Sequence, residues 1–239
     1  MRSKEEIRRF IWDLLEEKGV ALFPLPPHGR IPNFIGANIA AEKLEELSIW
    51  RKARVIKSNP DSPQKWIREK ALKHGKTVYM AVPKLREEKC FIELKPKRLL
   101  NLSQAATIRG AFQQGIPVYP DEIDHVDLVI MGSVAVNKRG AKIGKGGGFS
   151  DLEYAIGREY GFVTEETPVI TTVHPLQILD EELPMEDHDV PVDYIITRNE
   201  VIHVNPKVYS KPKGIKWSIL GRKLEEIPIL RKYRGRIED

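Results

Sequence analysis

The run "VDLVIMGSVAV", residues 126–136, constrains the fold most. After Asp127 it holds hardly a polar side chain. As a strand it must be covered on both faces, which a parallel sheet between two layers of helices provides. The surrounding sequence keeps that rhythm. Ser3 and Glu6 resemble a capping box, and Ile7, Phe10, Ile11, Leu14 and Leu15 follow at helical spacing. "AAEKLEELSIWRKA", "PQKWIREKALKHG", "SQAATIRGAFQQG" and "DLEYAIGREYGFV" read as helices, and "RVIKSN", "KTVYMAVP", "FIEL" and "TPVITTVHP" as strands. "DYIITRNEVIHV" closes the pattern as a strand or hairpin. The pattern predicts an α/β fold: three-layer and doubly wound, with a mostly parallel sheet and helices on both faces, Rossmann-like. Ligands in such folds bind at the carboxyl ends of the strands. "ALFPLPPHGRIPNFIGA", rich in Pro and Gly, reads as an ordered loop.

The chain's 239 residues suit one main α/β domain over 1–204, followed by a basic extension over 205–239. From Asn205 onward, ten Lys or Arg face four Asp or Glu, against 29 and 30 before it, so the whole excess of positive charge lies in the extension. A basic extension can neutralise nucleic-acid phosphates, or it can pack on the domain, as "GIKWSILGRKLEEIPIL" suggests. No window approaches the roughly 18 consecutive apolar residues of a membrane span. The charged N-terminus lacks the apolar core of a secretory signal, so the expected location is cytoplasmic and without a membrane partner. Cys90 has no second cysteine or nearby histidine and reads as a packing residue. His174 follows a strand and can be structural or face a site. The other histidines have no partner at metal-ligand spacing.

The chemistry concentrates in "KIGKGGGFSDLEYA", residues 142–155. Gly144, Gly146, Gly147 and Gly148 let the backbone turn tightly and present N–H groups unobstructed. The helix beginning after them adds free N–H groups and the positive end of its dipole. Lys142 and Lys145 bring positive charge to the same rim, as phosphate binding requires. Asp151 can hold a magnesium ion or cap the helix.

This loop, followed by "LPMEDHDVPVDYIITRNEVI", resembles the 5-formyltetrahydrofolate cyclo-ligase family, also called methenyltetrahydrofolate synthetases. Gly140–Asp151 align without a gap with the family's Gly-x-Arg-Leu-Gly-x-Gly-x-Gly-Tyr-Tyr-Asp, Asp189 and Asp193 fall on its later Asp-x-x-Val-Asp, and Lys4 with Arg8 matches its first-helix Lys-x-x-x-Arg. "FPLPPHGRIPNFIGA" and "KIGKGGGFSDLEYA" bring the chain nearer still to the methenyltetrahydrofolate synthetase domain-containing proteins. The resemblance implies ATP- and Mg2+-dependent closure of 5-formyltetrahydrofolate, or a related one-carbon pterin, to the 5,10-methenyl form. Under it Lys4, Arg8, Lys142 and Lys145 contact phosphates, the glycines cradle them, Phe149 stacks on a flat ring, and Asp151 serves the metal. Asp189 and Asp193 flank the cleft as further metal candidates, or are satisfied by backbone N–H groups. Arg30 and Asn33 contact the substrate or structure their loop. The expected partners are ATP and a reduced folate or pterin, for a monomer or homodimer.

The chain departs from the family pattern at several places. Ser150 stands for the second tyrosine, Lys142 for arginine and Asn137 for aspartate. The segment after "RVIK" lacks the family's folate-binding glutamate, with Asp61 the nearest acidic residue. A second reading therefore stands beside the first: a nucleotide-binding homologue without ring closure, whose basic tail engages RNA or a protein partner.

Overall fold

The computed structural model describes residues 1–205 and 208–238, with side chains through Tyr233. Pro206, Lys207 and Asp239 of the expected extension lie outside the described residues. The strands are β1 Ala21–Leu22, β2 Asn33–Phe34, β3 Val55–Ser58, β4 Thr77–Ala81, β5 Phe91–Leu94, β6 Ile116–Val118, β7 Leu128–Ile130, β8 Ala135–Val136, β9 Lys142–Ile143, β10 Val169–Thr172, β11 Tyr194–Ile196 and β12 Val201–His203. The helices are α1 Lys4–Glu17, α2 Ala37–Glu42, α3 Ser48–Lys52, α4 Lys65–Lys73, α5 Leu102–Ala105, α6 Ile108–Gln114, α7 Phe149–Glu159, α8 Lys223–Glu226 and α9 Pro228–Glu238.

Eight strands form the central sheet in the order β12-β11-β10-β7-β3-β4-β5-β6. The five from β11 to β4 are parallel, and β12, β5 and β6 extend the edges by antiparallel pairing. The "FIEL" strand is antiparallel because residues 82–90 join it to β4 without a helical crossover. Successive strand residues alternate between two apolar layers. Ile56, Val78, Met80, Leu128, Ile130, Ile170 and Ile196 meet residues of α2, α4, α5 and α6. Tyr79, Ala81, Val129, Val169 and Ile195 meet α7. Burial on both faces accounts for the continuous apolar runs.

Two expected helices are broken. "AAEKLEELSIWRKA" divides into α2, a short 3-10 turn and α3. "SQAATIRGAFQQG" divides at Thr107, whose hydroxyl accepts from the Gly110 N–H at 2.9 Å and so starts α6 afresh. The apolar run from residue 126 also turns, at Gly132, where a Cβ would approach Ile31 to 2.9 Å. It then continues as β8 in a hairpin with β9, on which α1 packs through Ile7, Ile11 and Leu15. The capping box of α1 is present: the Glu6 N–H donates to Ser3 Oγ, and Glu6 accepts from the Ser3 N–H.

The extension returns to the domain. Ile215, Leu220, Ile227, Ile229 and Leu230 are buried in the same apolar layer as α7. Lys211 pairs with Asp193, Lys216 with Asp187 and Lys232 with Glu88. Among the described residues, no helix is long and apolar enough to cross a membrane.

From β3 the chain proceeds to β4 on one side, whereas β7 leads to β10 on the other. Their carboxyl ends therefore border the crevice where doubly wound folds bind ligands.

Candidate functional site

The crevice floor is polar and fully connected. Lys57, in β3, points to the α7 side of the sheet and pairs with Glu153, the two side chains being only 1% and 4% exposed. Asn59, just past β3, donates through Nδ2 to Glu153 Oε2 at 2.6 Å. Its Oδ1 accepts from the Gly132 N–H and from the Ser150 hydroxyl, each at 2.9 Å. Burial pushes the Glu153 carboxyl up, and the Lys57 ammonium opposes that shift. Arg68, wholly buried, fixes the loop beyond Asn59 by donating to the carbonyls of Asn59 at 2.6 Å and Pro60 at 3.2 Å. Burial lowers its guanidinium to about 10.

The glycine loop joins β9 to α7. Gly146 has φ +106 and Gly148 φ +64, the latter as the left-handed residue before the helix. The first N–H groups of α7 have no acceptor within the helix and point outward. Arg8, reaching over from α1, donates Nε–H to the Gly144 carbonyl at 2.8 Å. Its guanidinium carbon lies 3.4 Å from where a Cβ on Gly146 would stand. At Gly144 a Cβ would meet nothing within 4 Å, so this face of the loop is open.

Beneath the loop lies a cavity of about 280 Å³. Ile31, Pro83 and Phe149 give it apolar walls, Asn59, Ser150 and Glu153 line its floor, and Asp61, Lys145 and Asp151 stand at its polar edge. A larger cleft of about 810 Å³ runs between residues 185–189 and 208–216. It is a broad surface trough away from the strand ends, so the smaller cavity is the better binding place.

The residues singled out in the sequence divide in this geometry. Arg8, Lys145, Phe149, Asp151 and the four glycines meet at the loop. Lys145 is partly exposed and pairs with Asp61 at 2.5 Å. Lys142 is buried behind the loop, 3.1 Å from Asp151 Oδ1, which also accepts from the Val190 N–H at 3.0 Å. Asp151 does not cap α7, since Gly148 holds that position. Lys4 pairs with Asp189 at 2.5 Å, and Asp189 also accepts from the Glu186 N–H.

Asp193 is elsewhere. It precedes β11, accepts from the Val169 N–H at 2.7 Å and pairs with Lys211, so it locks the amino ends of two parallel strands at the far edge of the sheet from the loop. Arg30 has an exposed side chain outside the cavity lining, and its carbonyl accepts from Trp12 Nε1. Asn33 holds its own loop by donating to the Phe23 carbonyl at 2.9 Å. Asn33 thus holds the loop that carries Ile31, and the contact described for Arg30 is made by its backbone carbonyl. Asn137 serves the hairpin turn through the Arg139 and Ala141 N–H groups, and His174 caps the turn over 175–177.

Lys57, Asn59 and Glu153 escaped the sequence reading. The available signals were a lysine after Val55 and Ile56 in a strand of the buried sheet and a glutamate between Leu152 and Tyr154 on the buried side of α7. Lys223 was also missed; its ammonium lies 5.3 Å from the Phe149 ring centroid.

No three His, Cys, Asp or Glu side chains converge as a metal cage among the described residues. A magnesium ion carried with phosphates needs only one or two carboxylates, the rest of its shell being water and phosphate oxygen. Asp61 and Asp151 are the carboxylates at the polar edge of the cavity, Asp61 paired with Lys145 and Asp151 with Lys142.

The fold and loop together define a doubly wound α/β protein with a glycine-rich loop at its topological switch point. Within that class the assignment is specific: residues 1–198 match the 5-formyltetrahydrofolate cyclo-ligase family, and the chain belongs to it. It is 44% identical over 241 residues to a methenyltetrahydrofolate synthase domain-containing protein of Bos taurus, covering 99% of this chain and 63% of the relative. The Homo sapiens counterpart is 41% identical over 240 residues, with 98% and 62% covered. The chain thus spans less than two thirds of the length of these curated relatives. The 5,10-methenyltetrahydrofolate synthetase of Aquifex aeolicus superposes with a TM-score of 0.52 at 19% identity, covering 84% of this chain and 93% of that one, a likeness of fold.

Proposed function

We propose that the protein closes 5-formyltetrahydrofolate, or a closely related one-carbon pterin, to its 5,10-methenyl form at the expense of ATP, releasing ADP and phosphate. The observation that carries this reading is the glycine loop with Arg8 laid across it at the switch point, in a chain of this family. In the proposed site the open N–H groups of the loop and of α7 receive the phosphates, and Arg8 and Lys145 add charge. Lys142 acts at one remove, by orienting Asp151. A magnesium ion held by Asp151 and Asp61 would neutralise phosphate charge as phosphoryl transfer to the formyl oxygen proceeds.

The flat ring system lies against Phe149 and Ile31. Glu153 stands in for the glutamate that the loop after β3 lacks: both hydrogen bonds described for it fall on Oε2, and the residue borders the cavity. A 2-amino-4-oxopyrimidine edge, with two adjacent N–H donors, suits such an acceptor. The test is to mix purified protein with 5-formyltetrahydrofolate, ATP and magnesium, and to follow the absorbance of the methenyl product. Product that forms only with ATP present supports the reading. No product together with intact ATP binding would leave a nucleotide-binding homologue.

A further inference from the structure

We propose that Lys223, from the C-terminal extension, is a polyphosphate-binding residue that completes the nucleotide site together with Arg8. The inference rests on the nucleotide site proposed above and adds a residue from outside the segment 1–198 that matches the family. The bovine relative aligns over 99% of the chain, extension included.

Position comes first. The apolar side chains of Leu220, Ile227 and Leu230 anchor the segment around α8 in the core layer beside α7. The anchored segment brings Lys223 Nζ to 3.0 Å from where a Cβ on Gly148 would stand. Gly146, two residues earlier, carries the Arg8 guanidinium. Two cations thus border the loop, Arg8 at Gly146 and Lys223 at Gly148. Lys223 also lines a pocket of about 270 Å³ with Gly146, Gly148, Asp151 and Lys216.

Electrostatics supplies the second step. Lys4, Lys142, Lys145, Lys211, Lys216 and Lys232 each pair with a carboxylate, whereas Lys223 forms no ion pair with any described residue. In a pocket that Asp151 and Glu186 also line, it stands at the positive end of the α7 dipole, where a cation is unfavourable. Contact with the Phe149 ring offsets only part of that. A multiply charged anion seated on the loop turns the repulsion into attraction between Lys223, the helix end and Arg8. A polyphosphate is the chemical class with the charge and length to reach both cations.

The experiment is calorimetric titration of the full chain with ATP and, separately, with AMP. Lys223→Gln should weaken ATP binding about tenfold, the loss expected for one charge-assisted contact, and change AMP binding far less. Lys223→Arg should retain most of the affinity, and Lys213→Gln, an exposed neighbour, should match wild type. In the absence of nucleotide the Lys223→Gln protein should melt no lower than wild type, because it loses a cation from the positive end of a helix. Equal ATP affinity for wild type and Lys223→Gln would overturn this inference and leave the proposed function standing. A lower melting temperature with equal losses for ATP and AMP would overturn it in favour of a structural role. A wild-type chain that bound no ATP would sink both.

Discussion

The Ser150 hydroxyl donates to Asn59 Oδ1 across 2.9 Å, the same oxygen that accepts the Gly132 N–H. The residue at which the loop departs most visibly from its family's pattern is therefore part of the cavity floor. Through Asn59 it ties the start of α7 to the ends of β3 and β7.

Ser150→Ala leaves Asn59 Oδ1 with one donor in place of two. The expected loss is about 0.5–1.5 kcal/mol, the usual net worth of such a bond. That corresponds to a fall of roughly 2–4 °C in melting temperature per kcal/mol for a chain of this size. Differential scanning calorimetry measures it directly. An unchanged transition would show that the hydroxyl contributes nothing to holding the floor.

Lys57 and Glu153 are worth more as a pair than as individuals. Glu153→Leu strands an ammonium in the interior and should cost about 3–5 kcal/mol in urea unfolding. The double variant Lys57→Met/Glu153→Leu removes both charges and should recover most of that loss. If Glu153 recognises the substrate, the double variant should fold well and still fail to bind the reduced folate. Full recovery of folate binding along with stability would reduce Glu153 to a structural partner of Lys57.

The layers of the fold were legible because apolar runs and helical spacing report burial directly. The glycine loop was legible because glycines at 144, 146, 147 and 148 have few other uses. What stayed hidden depended on which distant residues the topology brings together. Nothing local says that Lys57 and Glu153, far apart in sequence, meet across the gap between a strand and a helix. Asp193 misled for a related reason: its place in the Asp-x-x-Val-Asp pattern does not say where the topology puts it, and the start of a parallel strand is at the wrong end of the sheet. The antiparallel "FIEL" strand likewise depended on a connection too short for a helix, a property of the linker and not of the strand.

The loop glycines should separate on substitution. Gly144→Ala introduces a methyl group into open space at an ordinary φ, so the fold should tolerate it. Gly146→Ala forces a Cβ into the left-handed region against the Arg8 guanidinium, and Gly148→Ala does so against Lys223. Each should cost about 1–2 kcal/mol from backbone strain alone. Because the proposed phosphates need the open face, Gly144→Ala should nonetheless weaken ATP binding. Titration of the three variants beside their melting temperatures tests this, and a Gly144→Ala protein that bound ATP like wild type would move the phosphates off that face.

Alkaline conditions should destabilise the protein through buried thiol and phenol groups. Burial pushes the Cys90 thiol well above its ordinary 9.0, and raises Tyr154 from 10.0 to about 12 against the opposing Arg158. Tyr79 is raised by burial and, next, by donating to Glu93 at 2.9 Å. Each is an acid that ionises more readily in the unfolded chain than in the native one. Well below pH 9 both states keep these protons and the groups contribute no pH dependence. From about pH 9 upward the unfolded state binds fewer protons than the native state, so stability falls as pH rises. Urea midpoints measured in steps from about pH 8 to pH 11 should decline, with Cys90→Ala removing the earliest part of the decline. The same burial should keep the native thiol unreactive toward a disulfide reagent until the chain is unfolded. A midpoint independent of pH over that range, or a thiol that reacts fully in the native protein, would show that Cys90 is not sealed beneath β4 and β5.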